Sequence, residues 1–466
     1  MGRIGLIGLG VMGENLAVNI ASKGYGIVVY NRTASKTREF LERAGGVKEI
    51  AGAYTLNELT SSLERPRKII LMVKAGQAVD DIITELEPHL SPGDILFDCG
   101  NSHYLDTERR QRRCAGSGIV FMGVGVSGGE EGALKGPSIM VGGDREAYDA
   151  TADFWRSIAA KADGRPCAGY MGVRGAGHFV KMVHNGIEYA LLQLIAETYD
   201  VMSHILGLGA VEISDVFREW GRSELSSYLL EIAADALKVV DEETGRPLVD
   251  MVLDKAEQKG TGKWAVQTAA ELGVPTPSID AALSARYISA LKDTRAEFAK
   301  TYGRSPRPEV GREKVVDMLR DAYWCAKVVC YAQGLDLIDT ASRQYGYGTD
   351  IGEVLAVWRA GCIIRSSLLK TFQSAVERLG QGRNILLDGE IAEMMKARMA
   401  RMESLLSILK TAGIPTPVYD ASINYLLSMK RDRLPANIIQ ALRDRFGAHT
   451  FERVDKPGRF HHSWRP

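Results

Sequence analysis

The segment Gly177-His-Phe-Val-Lys181-Met-Val-His184-Asn185-Gly-Ile-Glu188-Tyr189 gathers more reactive side-chain types than any other stretch of the chain. On a helix, Lys181, His184, Asn185, Glu188 and Tyr189 fall at offsets 0, 3, 4, 7 and 8 and share one face. Val180, Val183, Ile187, Leu191 and Leu194 form a separate apolar stripe that can pack in a core. Lys181 and Glu188 then stand about 10 Å apart along the axis, which leaves room for a small substrate between a base and an acid. The bland alternative is a solvated face with incidental ion pairs. Against it, this one face carries an amine, an imidazole, a carboxamide, a carboxyl and a phenol, and a mostly apolar helix follows. The face predicts proton-transfer chemistry.

The first 175 residues supply the frame for it. Apolar runs at Ile4–Leu9, Gly26–Tyr30, Lys68–Val73, Asp94–Asp98, Gly118–Val126 and Ser138–Val141 alternate with helical patterns, the mark of a parallel sheet covered on both faces. Gly8-Leu9-Gly10-Val11-Met12-Gly13 follows the first run and opens a helix through Glu14 to Ser22. In that strand–turn–helix context the three glycines predict dinucleotide binding, with the pyrophosphate at the helix N-terminus. The second run ends in Tyr30-Asn31-Arg32-Thr33, where an NAD site usually places Asp or Glu. Asn31 brings no charge to repel a 2′-phosphate and Arg32 offers a guanidinium to bind it, so NADP is expected over NAD. Val73-Lys74-Ala75 and Asn101 follow later strands and point at the same crevice, as does Val126-Ser127-Gly128-Gly129, whose small residues expose backbone N–H groups to an anion.

From Gly175 onward long helical periodicities dominate, and they repeat. Gly273-Val-Pro-Thr-Pro-Ser-Ile-Asp280 returns as Gly413-Ile-Pro-Thr-Pro-Val-Tyr-Asp420, and Ile213–Trp220 resembles Ile351–Trp358. Positions from Met182 align loosely with those from Met318, so a duplicated helical unit is expected. Its second copy places Asp317, Arg320, Asp321, Trp324 and Cys325 where the first has its reactive face, which makes it a scaffold. Gln258-Lys259-Gly-Thr261-Gly-Lys263-Trp264 is a glycine-opened basic loop without Walker A spacing, in which Lys259 and Thr261 could hold a phosphate. The segment from Lys430 to Pro466 carries nine Lys/Arg against four Asp/Glu, with apolar anchors at Ile438, Ile439, Leu442, Phe446 and Phe451. It is expected to dock and to bring charge with it.

Composition excludes several classes. With 466 residues, 45% of them hydrophobic, and 58 Lys+Arg balancing 58 Asp+Glu, the chain is ordinary globular material for two or three domains. That balance argues against nucleic-acid binding through overall charge. No membrane span or signal peptide is expected, and six scattered cysteines without C-x-x-C pairs point to free thiols in the cytosol and to no metal site.

Over essentially its whole length the chain resembles the decarboxylating 6-phosphogluconate dehydrogenases. The most specific matches are Gly175–Tyr189, Val126–Gly129, Gln258–Trp264, Leu434-Pro-Ala-Asn and Arg443-Asp-Arg-Phe-Gly-Ala-His449, with Asn31-Arg32-Thr33 matching the family's NADP loop. Cys99, Val141 and Ala190-Leu-Leu192 depart from the family's usual residues. The resemblance implies an α/β Rossmann-type domain (1–175), a large duplicated all-α domain (176–432) and a basic tail (433–466) docking on the partner subunit of a homodimer. It implies oxidation of 6-phosphogluconate by NADP at carbon 3, followed by loss of carbon 1 as carbon dioxide to give ribulose 5-phosphate. Lys181 resembles the general base and Glu188 the acid that protonates carbon 1. Asn101, Ser127, Gly128, Gly129, His184 and Asn185 correspond to sugar-acid contacts. Tyr189, Lys259, Thr261 and Arg286 correspond to the phosphate site, with Arg443 and His449 arriving from the partner. A neutral Lys181 requires a pKa lowered by burial or by a cationic neighbour such as His184 or Lys259. The other readings are a related β-hydroxyacid dehydrogenase acting on an unphosphorylated acid, and a nonenzymatic NADPH-binding sensor.

Overall fold

The computed structural model describes residues 2–258, 260–303 and 311–464. Its N-terminal part is built on β1 (Ile4–Ile7), β2 (Ile27–Tyr30), β3 (Ile50–Ala53), β4 (Lys68–Leu71), β5 (Ile95–Asp98), β6 (Val120–Ser127) and β7 (Ser138–Gly142). A hairpin of β8 (Lys161–Ala162) and β9 (Arg165–Pro166) leads to β10 (Ala168–Gly172). The eight-stranded sheet runs β10-β7-β6-β5-β4-β1-β2-β3. Buried helices flank it, and its inner strands are apolar throughout, as a sheet covered on both faces requires.

The sheet is not wholly parallel, which corrects the sequence expectation. β7 returns antiparallel to β6, pairing Gly123 with Gly142 and Ser127 with Ser138. The connection between them holds only the seven-residue helix Gly129–Lys135, too short for the crossover that a parallel return needs. β3 and β10 are additional strands. Their sequences, Ile-Ala-Gly-Ala and Ala-Gly-Tyr-Met-Gly, carry little strand signal and owe their pairing to β2 and β7.

The helix Ala176–Asp200 crosses from this sheet into the helical part. It lies close against β6 and β7 because glycines remove the side chains between them. A Cβ on Gly177 would come within 2.6 Å of the Met140 carbonyl oxygen and the Gly142 nitrogen, and one on Gly125 would meet Lys181 Cβ at 2.5 Å. The face bearing Lys181, His184 and Asn185 is thereby buried, with Gly125 of β6 against Lys181.

The duplication is visible in three dimensions. Pro277–Ala290 and Pro417–Met429 are matching helices, each entered through Thr-Pro, and they pack on one another with Ser278 Oγ 2.9 Å from Ser422 Oγ. Their N-termini are capped crosswise. Glu197 accepts from the Val418 and Tyr419 N–H groups at 3.0 and 3.2 Å. Gln333, 136 residues further on, accepts from the Ser278 N–H at 3.0 Å. Each copy therefore satisfies orphan donors of the other's helix. The scaffold copy centres on the long helix Arg312–Tyr345 and includes a fully buried lysine, Lys327, which donates to the Leu225 carbonyl at 3.2 Å.

Burial pushes the Lys327 pKa down to about 7. The unfolded chain then binds more protons than the folded one as pH rises above 7, so stability should increase over that interval. Lys327→Met should lose this rise, which has a limiting slope of about 1.4 kcal/mol per pH unit. Urea denaturation of both proteins at pH 7, 8 and 9 measures it, and parallel pH dependences would show that Lys327 stays charged.

The tail forms the helix Ala436–Gly447 and a hairpin of β11 (Phe451–Glu452) with β12 (Arg459–Phe460). Buried Asp444 ties it together, accepting from the Thr450 and His462 N–H groups and from Trp464 Nε1. Ile438, Ile439, Leu442 and Phe446 remain 54–74% exposed. Among the described residues these four anchors have no covering surface on their own chain, whereas Phe451 packs against Phe460 and Trp464. Among the described residues no helix is long and apolar enough to cross a membrane.

Candidate active site

The strand ends β1, β2 and β4 enclose a cavity of about 380 Å³. Gly8, Leu9, Gly10, Asn31, Arg32, Thr33, Val73 and Lys74 line it, as the sequence led one to expect, and Lys36 joins them. Gly8 has φ +105, and a Cβ there would strike the Met72 carbonyl; one on Gly13 would strike the Gly8 carbonyl. Gly10 is different. A Cβ there meets nothing, because it points into the open cleft where a pyrophosphate would lie. The helix Val11–Ser22 begins at Gly10 with no side-chain cap, so its first-turn N–H groups, Met12 and Gly13 included, are left for a ligand. Asn31 accepts from the Leu9 N–H at 3.1 Å, fixing the glycine turn as well as leaving the ribose end uncharged. Among the described residues Arg32 forms no ion pair, which leaves its guanidinium free for an anion. Lys36 stands four residues after Arg32 in the first turn of the helix Ala34–Arg43, a basic spacing that could have been read from the sequence. Ala75 follows Lys74 in the same turn, and Asn101 is exposed in the loop after β5. These residues fit a phosphorylated dinucleotide.

The reactive helix face meets the end of β6. Ser127 Oγ lies 3.1 Å from His184 Nε2, while His184 Nδ1 faces Asn185 Oδ1 at 3.2 Å and Lys181 Nζ at 3.5 Å. Gly128 and Gly129, at φ +130 and +61, turn the chain beside them. Here the duplicate is more than a remote scaffold: the Gly361 carbonyl accepts from Ser138 N–H at 2.8 Å and closes against Gly128, and Trp358 packs edge-on to the His184 ring.

Burial lowers the Lys181 pKa to about 8, against the raising influence of Glu188 and Cys362. Burial also raises Glu188, partly offset by Lys181 and Arg286. The expectation of a cationic neighbour is corrected for His184. Burial and the Lys181 charge hold that imidazole neutral, so it cannot be what depresses the lysine. Lys259 lies outside the described residues. The amine and the carboxyl are thus each driven toward the neutral form, the states required of a base and an acid near neutral pH.

Beyond Glu188 the helix reaches a cationic corner. The Arg286 guanidinium stacks 3.5 Å from the Tyr189 ring centroid, and its Nη1 donates to the Glu257 carbonyl at 3.1 Å. Thr261 opens the helix Thr261–Leu272 after Gly260, and Gly262 faces the Tyr189 ring so closely that a Cβ would collide with it. Arg443 and His449 do not join this group on their own chain. Arg443 donates to Gln440 at 3.1 Å and His449 lies edge-on to Phe446, both within the tail.

A dinucleotide cleft together with a buried lysine and a half-buried glutamate, each driven toward its neutral form by burial, defines a dehydrogenase with a Rossmann-type domain and a helical domain. Residues 3–172 match the model of the NAD binding domain of 6-phosphogluconate dehydrogenase, and residues 177–464 match the model of its C-terminal domain. The 6-phosphogluconate dehydrogenase, NADP(+)-dependent, decarboxylating, of Bacillus subtilis is 49% identical, with 99% of each chain covered. A chloroplastic decarboxylating 6-phosphogluconate dehydrogenase of Spinacia oleracea is 46% identical over 99% of this chain and 88% of its own. The solved Plasmodium falciparum 6-phosphogluconate dehydrogenase, described in apo form and in complexes with its cofactor NADP+ and its substrate 6-phosphogluconate, superposes with a TM-score of 0.96. It is 40% identical and covers 99% of this chain and 100% of its own. The chain belongs to the 6-phosphogluconate dehydrogenase family.

Proposed function

We propose that the protein oxidises and decarboxylates 6-phospho-D-gluconate with NADP, giving D-ribulose 5-phosphate, carbon dioxide and NADPH. The observation that carries this reading is the helix 176–200, which presents buried Lys181 and half-buried Glu188 on one face, with Tyr189 and its Arg286 partner directly after Glu188. The names of its close relatives support it.

Gly8, Leu9, Gly10, Val11, Met12, Gly13, Asn31, Arg32, Thr33, Val73, Lys74, Ala75 and Asn101 hold NADP. When bound there, NADP supplies the hydride acceptor. Asn101, Ser127, Gly128, Gly129, His184 and Asn185 hold the sugar acid, and Tyr189, Lys259, Thr261 and Arg286 hold its phosphate. Neutral Lys181 accepts the proton of the carbon 3 hydroxyl as that carbon is oxidised. The resulting ammonium then polarises the new carbonyl, so the β-keto acid can lose carbon dioxide to an enediol that is electrostatically stabilised. Glu188, protonated through burial, delivers its proton to carbon 1. Residues 1–175 act as the cofactor part, 176–432 as the helical part, and 433–466 as a tail that docks on the partner in a homodimer and supplies Arg443 and His449. Six free, buried cysteines suit the reducing cytosol.

Parallel assays with 6-phosphogluconate and gluconate test the reading. Turnover of the phosphorylated acid alone is expected. Equal turnover of gluconate would replace it with an unphosphorylated β-hydroxyacid as substrate, and NADPH binding without turnover of either would indicate a sensor. Arg32→Ala should raise the KM for NADP ten- to a hundredfold, about 1.5–3 kcal/mol for a charge-assisted phosphate contact, while barely moving the KM for NAD. An equal rise for both cofactors would remove the 2′-phosphate from the argument.

A further inference from the structure

Arg110 lies in the helix Tyr104–Ala115, outside every segment assigned to cofactor or substrate, yet its side chain is completely buried. A buried guanidinium must find partners for its fixed fork of donors, and the identity of those partners says what it organises. Its Nε and Nη2 grip Asp80 at 3.1 and 2.8 Å, and Nη2 also donates to the Gly76 carbonyl at 2.9 Å. On the opposite side Nη1 donates to Ser102 Oγ at 3.3 Å and lies 3.6 Å from Asp98 Oδ2. The first group of partners ends the turn that carries Val73, Lys74 and Ala75. The second brackets Asn101, because Asp98 accepts from Ser102 Oγ at 2.6 Å and from Gly100 N–H at 3.1 Å.

The two turns also touch directly. A Cβ on Gly100 would stand 3.0 Å from the Val73 carbonyl oxygen, so a small change in their spacing cannot be absorbed by side chains. Asp80 is held from outside as well by Arg109, which binds both its oxygens at 2.9 Å. Arg109 reaches only this one side, while Arg110 spans both.

We infer that Arg110 is a positioning residue: it sets the distance between the Val73–Ala75 turn and Asn101, and so fixes the nicotinamide end of the cofactor against carbon 3 of the sugar acid. The inference rests on the functional reading above. It assigns a job distinct from binding the 2′-phosphate, since the hydrogen bonds of Arg110 go to Gly76, Asp80 and Ser102 and none reaches Arg32 or the Gly8–Gly13 turn.

Arg110→Lys keeps the charge and loses the fork, so it can tie down one turn but not both. Misplacement of reacting atoms by about 1 Å can cost about 10²-fold in rate. In Arg110→Lys, kcat/KM for 6-phosphogluconate should fall about that far. The deuterium isotope effect from substrate labelled at carbon 3 should rise, because hydride transfer becomes more fully rate-limiting. Inhibition by adenosine 2′,5′-bisphosphate, which occupies only the far end of the cleft, should stay unchanged. An unchanged kcat/KM would overturn the inference, and so would affinity for the bisphosphate falling in step with activity. If Arg110→Lys does not fold, Ser102→Ala decides. It removes only the hydroxyl between Arg110 and Asp98, and should lower kcat/KM with the bisphosphate again unaffected; full activity would overturn the inference. Wild-type protein in the same assay separates the two levels: active wild type beside unaffected variants overturns this inference alone, and inactive wild type overturns the functional reading beneath it.

Discussion

Lys181→Arg should be nearly as inactive as Lys181→Ala, with both falling by at least about 10²–10⁴ in kcat from the loss of general-base catalysis. The pair separates two roles that a lysine can play. Arginine preserves a positive charge that could polarise a carbonyl, but its guanidinium stays protonated and cannot accept a proton. In the wild type, burial brings Lys181 to about 8, so the neutral amine gains population as pH rises through that value. The sign follows from the role: kcat/KM should climb with pH and level off above about 8, and the residual activity of either variant should lack that limb. NADP binding should survive in both, because the cleft is built from other segments. Substantial activity in Lys181→Arg, with the pH limb retained, would transfer the base role to another group.

The reactive face was legible because a helix repeats by elementary geometry, and residues three and four apart must meet whatever surrounds them. The glycine turn after β1 was legible for a similar reason: only a backbone without side chains fits against the Met72 carbonyl at Gly8 and against the Gly8 carbonyl at Gly13, and a side chain at Gly10 would take up the open cleft. What the sequence hid depends on partners distant along the chain. Nothing local shows that the face of Lys181, His184 and Asn185 is buried; that burial comes from Gly123, Gly125 and Gly142 in strands more than thirty residues upstream. Of the two causes the sequence allows for a depressed Lys181 pKa, burial or a cationic neighbour, burial is the one at work, and His184 stays neutral beside it. The direction of β7 is set by the length of a connection, and the strand run itself carries no sign of it. Arg110 illustrates the same limit. In Glu-Arg-Arg-Gln-Arg-Arg it is one of four arginines, and nothing local marks it as the one that faces inward.

The tail presents a positive surface that no described residue of its own chain covers. Ile438, Ile439, Leu442 and Phe446 stand exposed along a helix held rigid by Asp444, and Arg443 lies on that same helix. A solvated tail has no use for such a row of apolar side chains. If they dock on a second copy and carry Arg443 and His449 into its site, a chain ending near Arg433 should fold but lose activity. Arg443→Ala should weaken 6-phosphogluconate binding by roughly 2–5 kcal/mol, the cost of losing a desolvated phosphate contact, and leave NADP binding nearly unchanged. Mixing is the sharper test. Lys181→Ala homodimers lack the base in both sites, and Arg443→Ala homodimers lack the tail arginine in both. In a mixed dimer with shared sites, one site receives both defects and the other receives neither, so each mixed dimer regains one native site, about a quarter of all sites after random reassembly of equal amounts. Dissociating and reassembling the two variants together should therefore restore activity well above the sum of the separate proteins. Mixed dimers confirmed by mass but no more active than that sum would show that Arg443 serves its own subunit.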